Sequence, residues 1–196
     1  MRLFVCSLLS AENQDFYDRR VADLVAAGRG ALRPIPKRSA HLTHAFLGET
    51  DAGRLDDIRA AVGTVAEHYA LMPVRLGPPA ILFARSTPRL VCAHVIHGTS
   101  PLRQLTADIA AALADIRAGS SLGPTHSPHV TLARFSRDAS RGDARIVIAA
   151  LDGGDSVAAV REDTIAAIQV MSSTLGREGP SYTVIAEVPI RGRAEN

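Results

Sequence analysis

One short pattern occurs twice in the chain: serine, any residue, histidine, an apolar residue, threonine. The copies are Ser39-Ala40-His41-Leu42-Thr43 and Ser127-Pro128-His129-Val130-Thr131, 88 positions apart. With seven His and eleven Thr in 196 residues, random placement gives about 0.4 His-x-Thr, so two copies in matching contexts are not expected by chance. Both lie in runs rich in β-branched and apolar residues. In a strand, side chains alternate, so each His and its Thr share one face, ~7 Å apart, while Leu42 and Val130 point the other way into a core. The spacing is close to half the chain, which implies two similar halves, each offering one His-Thr pair to a shared cleft.

The rest of the chain fits that division. Strands are expected over 2–9, 40–47, 72–76, 80–84, 89–96, 129–135, 156–160, 164–171 and 181–188. The two short runs at 72–76 and 80–84 are separated by Gly77-Pro78-Pro79. Leu32 to Lys37 holds two prolines and reads as extended or looped. Apolar residues at helical spacing predict helices over 12–27, with Phe16, Val21, Leu24 and Val25 on one side, and over 53–68. A third starts at Pro101 and runs to about 116, a weaker one covers 141–151, and 119–128 is loop. Short strands broken by hairpin-like turns, with no Rossmann glycine pattern, favour α+β layers with mostly antiparallel pairing over a doubly wound parallel sheet.

Composition sets limits. The chain is 46% hydrophobic and 21% charged with a net charge of +2, an ordinary globular balance and no polycation. Lys37 is the only lysine; the other basic residues are arginines, a bias that suits phosphate contacts but that genome composition explains first. Cys6 and Cys92 match neither a Cys-x-x-Cys nor a zinc spacing and read as buried free thiols of a reducing compartment. The apolar start, Leu3 to Ala11, is too short and too poor in basic residues for a signal peptide and reads as a first core strand. No apolar run reaches the ~20 residues of a membrane span, so a cytoplasmic protein without a membrane partner is expected.

Two imidazoles across a cleft suit acid–base chemistry on a phosphodiester. A neutral ring takes a proton from water or a hydroxyl, and a protonated one gives a proton to the leaving oxygen. Thr43 and Thr131 can donate hydrogen bonds to non-bridging phosphate oxygens, which count most as charge builds in the transition state. No metal or other cofactor is required. The His-x-x-His pairs, His41/His44, His94/His97 and His126/His129, invite a metal reading. In β-like runs, however, residues three apart face opposite ways, and no His-Glu-x-x-His is present. A phosphate-binding Gly-x-x-x-x-Gly-Lys loop is also absent, and Lys37 in its proline-rich setting is a poor candidate for an adenylated lysine.

Read as His41-Leu42-Thr43-His44-Ala45-Phe46-Leu47-Gly48 and Pro128-His129-Val130-Thr131-Leu132-Ala133-Arg134, the chain resembles the two-histidine phosphoesterase superfamily. Within it, the likeness is to the bacterial and archaeal RNA 2',3'-cyclic phosphodiesterases, also called 2'-5' RNA ligases. The likeness extends to Arg2-Leu3-Phe4-Val5 at the start and to Ser173, Gly179 and Tyr182 near the end. It departs at His44, where the family has Leu, and at Cys92, where it has Trp. His44 should face away from His41.

The resemblance implies one bilobal domain over 1–196: two pseudo-symmetric lobes, each an antiparallel sheet with helices, and a cleft between them. It also implies opening of a terminal RNA 2',3'-cyclic phosphate to a 2'-phosphate. His41 is assigned as proton donor and His129 as proton acceptor, and the reverse reaction gives a 2'-5' linkage without ATP. Arg134 is a further phosphate-binding candidate. Phe46 and Phe4 are candidate base contacts, with core packing the more ordinary role for each. Arg33, Lys37, Arg38, Arg137, Arg141 and Arg145 flank the motifs and form either a basic rim for RNA backbone or a solvated face. A non-catalytic RNA- or nucleotide-binding module, and an enzyme acting on a small cyclic nucleotide, are the alternatives. Both histidines lie in one chain, so a monomer suffices.

Overall fold

The computed structural model describes residues 1–116, 127–153, 159–176 and 179–191. Nine strands form one sheet: β1 (Arg2–Leu8), β2 (Leu32–Pro34), β3 (His41–Glu49), β4 (Met72–Ala84), β5 (Thr87–His97), β6 (His129–Phe135), β7 (Arg161–Ile165), β8 (Ala167–Gly176) and β9 (Gly179–Pro189). Among the described residues four α-helices accompany it: α1 (Ala11–Ala27), α2 (Leu55–Ala66), α3 (Thr99–Ala112) and α4 (Arg141–Asp152). The strand order is β7-β4-β5-β6-β3-β1-β8-β9, with β2 added beside β6, and every pairing is antiparallel.

That order is nearly symmetric about the junction of β3 and β6, whose register holds a single pair, Leu42 opposite Val130. On one side lie β3, β1, β8 and β9, covered by α2 and α3; on the other lie β6, β5, β4 and β7, covered by α1 and α4. Each chain half therefore lends pieces to the other lobe. β4 and β5 come from the first half and join β6, while β8 and β9 come from the second and join β1. The expected pair of lobes is present, and the two sheets expected are halves of one continuous sheet.

Several boundaries differ from the sequence reading. The runs at 72–76 and 80–84 are one strand, β4. The pairing steps from Leu76 opposite Val95 to Pro79 opposite Ala93, so Gly77-Pro78 is absorbed as a bulge. The prolines are tolerated because β7 pairs with β4 only over Met72–Leu76, and beyond it one edge of β4 needs no donors. The run 164–171 is two strands, β7 and β8, that change partners at Ala166. β7 and β8 sit six strands apart in the order yet are joined by that one residue, so the sheet must curl until its ends approach. Phe16 and Val25 are partly buried, and α1 buries Asn13, Gln14 and Tyr17 beside Val21 and Leu24. The loop over 119–128 and the strand over 156–160 fall largely outside the described residues, and 159–160 are not strand.

Buried polar groups fasten the curl. The Asp163 carboxylate, on β7, accepts from Ser10 N, Ser10 Oγ and Asn13 Nδ2 at 2.9, 3.2 and 2.9 Å. It stands at the start of α1, where a negative charge meets the positive end of the helix dipole. Gln14, also on α1, clamps the residue before His41: its amide donates to Ala40 O and accepts from Ala40 N, both at 2.8 Å. α4 starts with a capping box between Ser140 and Asp143. α3 starts after Gly98, at φ +80°, where an added Cβ would sit 2.5 Å from Pro73 O.

Candidate active site

The two motifs open β3 and β6 and take the same local form. Along both His41–Leu47 and His129–Phe135 the sequence of environments is half-buried, buried, half-buried, buried, buried, exposed, buried. The repetition includes a shared irregularity. Thr43 pairs with Cys6 and Ala45 with Val5, so His44 is an extra residue; Thr131 pairs with Cys92 and Ala133 with Val91, so Leu132 is its counterpart. The bulge moves the face by one residue. It puts Phe46 on the face of His41 and Thr43, and Arg134 on the face of His129 and Thr131. Cys6 and Cys92 are also counterparts, each opposite a motif threonine.

Extending the antiparallel register from Leu42 opposite Val130 sets His41 across from Thr131 and Thr43 across from His129. Each imidazole thus stands by the other motif's hydroxyl, and the four side chains share one face. Among the described residues neither threonine hydroxyl bonds to protein.

The serine two places before each histidine acts through its backbone. The carbonyl of Ser39 lies 2.6 Å from His41 Nδ1, and that of Ser127 lies 2.9 Å from His129 Nδ1. A carbonyl only accepts, so each Nδ1 carries a proton and the basic lone pair of each neutral ring is at Nε2. The Ser39 hydroxyl donates to Pro36 O, and the Ser127 hydroxyl lies 3.5 Å from His94 Nδ1.

The surroundings break the symmetry. His41 packs against Phe4, with centroids 5.1 Å apart, and edge-on to Tyr182 at 5.8 Å. Phe4, Cys6 and Met171 form a small apolar cluster beneath them, edged by Leu8 and Tyr182. Burial lowers the His41 pKa from its ordinary 6.5; the Ser39 carbonyl opposes this, and the charges of Arg134 and His129 lower it further. Arg134 and His129 thus both lie within electrostatic reach of His41. His129 instead faces His94, its cross-strand partner, with ring centroids 5.8 Å apart. Burial and the charge of His129 also lower the His94 pKa.

The residues singled out in the sequence meet different fates. His41, His129, Thr43, Thr131 and Arg134 come together. Phe46 is 44% exposed on the same face, so packing in the core is not its role. Phe4 is buried, its ring engaged by His41 and Tyr182, which is the packing role, the more ordinary of its two readings. His44 turns away from the cleft, as expected, and is buried. Ser7 Oγ donates to Ala167 O and so accepts from His44 Nε2–H, and Thr106 Oγ1 meets His44 Nδ1. His44 thereby links β1, β3, β8 and α3.

Of the basic rim, Arg38 pairs with Asp15 at 2.6 Å, and Arg141 donates to Ser86 O. Both cysteines are buried free thiols, with Cys92 pushed up to about 11 by burial. Among the described residues no three His, Cys, Asp or Glu side chains are placed to hold a metal, and no helix is long and apolar enough to cross a membrane. His126 lies outside the described residues. Sequence reasoning missed Tyr182 and His94 as cleft residues; their signal is strand pairing, which the sequence does not display.

A family model described as the 2'-5' RNA ligase superfamily matches residues 17–169. No curated protein matches significantly. Among solved structures, TT0787 of Thermus thermophilus is 25% identical with a TM-score of 0.76, over 98% of this chain and 100% of that one. LigT of E. coli, solved with 3'-AMP, is 22% identical with a TM-score of 0.65, over 97% and 98%. A further structure, of a phosphoesterase, is 22% identical with a TM-score of 0.63, over 96% and 98%.

Proposed function

This chain belongs to the 2'-5' RNA ligase superfamily, and we propose that it opens the 2',3'-cyclic phosphate at an RNA end to a 2'-phosphate without a metal. The observation that carries this reading is the meeting of two His-Thr pairs across the Leu42–Val130 junction, with both basic lone pairs at Nε2. His129 Nε2 takes a proton from water as the water oxygen bonds to phosphorus. The bond from phosphorus to the 3' oxygen breaks, and that oxygen takes a proton from His41. Thr43, Thr131 and Arg134 hold the charge on the non-bridging oxygens. A bound phosphate restores to His41 the positive charge that burial and the neighbouring cations disfavour. With a 5'-hydroxyl in place of water, the same bond changes leave a 2'-5' linkage. One chain supplies both pairs, so the working unit is a monomer, in the cytoplasm.

The test is hydrolysis of an RNA ending in a 2',3'-cyclic phosphate, with EDTA present. Wild type should turn over and leave a 2'-phosphate, and His41→Ala and His129→Ala should each lose ~10²-fold or more. Binding without turnover in wild type would instead make the protein a binding module, and loss of wild-type activity in EDTA would return the chemistry to a metal.

A further inference from the structure

We propose that Arg33 joins Arg134 to form a second anion subsite beside the histidines. It takes the phosphodiester next to the reacting phosphate, so the substrate is the end of a polynucleotide rather than a free cyclic mononucleotide. This rests on the phosphodiesterase reading above and narrows its substrate.

β2 is three residues long and sits beside β6 beyond the point where β3 has left it. Its middle residue, Arg33, is the direct partner of Arg134. Residues directly opposite in an antiparallel pair share a face, about 5 Å apart at Cβ. Arg134 lies on the face of His129 and Thr131, so Arg33 does too. Both arginines are exposed.

Like charges directly opposite repel, and such a pair weakens a ladder unless something neutralises it. Among the described residues no carboxylate does. The ion pairs formed by arginine are those of Arg38, Arg54, Arg75 and Arg161, all elsewhere. Pro34 and Pro36 stiffen the segment and supply no backbone donors, so β2 adds little ladder energy. β2 buries Leu32, and it holds a second guanidinium directly beside that of Arg134.

The two arginines have different tasks. The charge of Arg134 is felt at both His41 and Tyr182, which ties it to the reacting phosphate. Arg33 stands one strand over at the same level, where the next phosphate of a bound chain can meet a planar fork of donors. A mononucleotide has no phosphate to place there.

The experiment compares kcat/KM for a short oligoribonucleotide ending in a 2',3'-cyclic phosphate with that for a nucleoside 2',3'-cyclic phosphate. Wild type should prefer the oligonucleotide. Arg33→Gln should lower the ratio of the two values about tenfold and flatten the salt dependence on the oligonucleotide by about one phosphate contact. Arg33→Lys should restore part of both. Arg103→Gln, on the exposed side of α3, is the control for loss of one positive charge and should leave the ratio alone. A ratio and salt slope unmoved by Arg33→Gln, or a wild type without preference, overturns the subsite while leaving the phosphodiesterase reading intact. A wild type that hydrolyses neither substrate overturns both.

Discussion

His41 and His129 have the same backbone setting and different company, and the difference should be visible in a pH profile. Burial, then Arg134 and His129, hold the His41 pKa below 6.5 in the free protein. If His41 is the donor, kcat/KM requires its protonated form and falls as pH rises through that lowered value, so the descending limb lies below pH 6.5. Arg134→Gln removes one of the causes and should move that limb to higher pH while lowering kcat/KM. A limb that rises with pH and moves in Arg134→Gln would instead make His41 the acceptor. The pair of motifs and the opposite orientation of His44 were legible in the sequence, because strand alternation governs them. The exposure of Phe46 and the alignment of Arg134 with Thr131 follow from bulges at His44 and Leu132. A bulge leaves no mark in an alternation pattern this short.

The elements that carry the histidines are held by partners far along the chain. Gln14 on α1 satisfies both backbone groups of Ala40. Gln14→Leu leaves the Ala40 N–H buried without its acceptor and should cost about 1–3 kcal/mol in urea unfolding. It should also lower kcat through a less well held His41. At α4 the consequence is more local. Ser140→Ala removes the capping box and should cost about 1 kcal/mol, with activity retained because α4 lies on the far side of the sheet. Helices were read well from apolar spacing, to within a few residues at their ends. Strands were misread where partners change rather than where propensity does: β4 runs through Gly77-Pro78-Pro79, and β7 gives way to β8 at Ala166 without a turn signal.

At the scale of the whole molecule, the half-chain spacing of the motifs foretold two lobes, but not that each chain half builds parts of both. The hairpin between β4 and β5, at Arg85-Ser86, lies midway between the two motifs in sequence and falls inside one lobe in space. Fragments 1–85 and 86–196 should therefore each fail to fold alone, by circular dichroism and urea titration, and should recover structure and activity when combined. Two independently folding fragments would contradict the exchanged strands. Asp163 should matter at this scale as well. Asp163→Ala leaves three donors around the start of α1 unanswered and should cost about 3 kcal/mol.

The exchange also fixes when, during synthesis, the site can come into being. His41 and its strand emerge early, yet one neighbour of β1 is β8, and Tyr182, which touches the His41 ring, belongs to β9 near the end of the chain. A growing chain carries the first motif from β3 until β9 is made without the wall that holds it. The wall of the cleft beside His41 is complete only once β8 and β9 have joined the sheet.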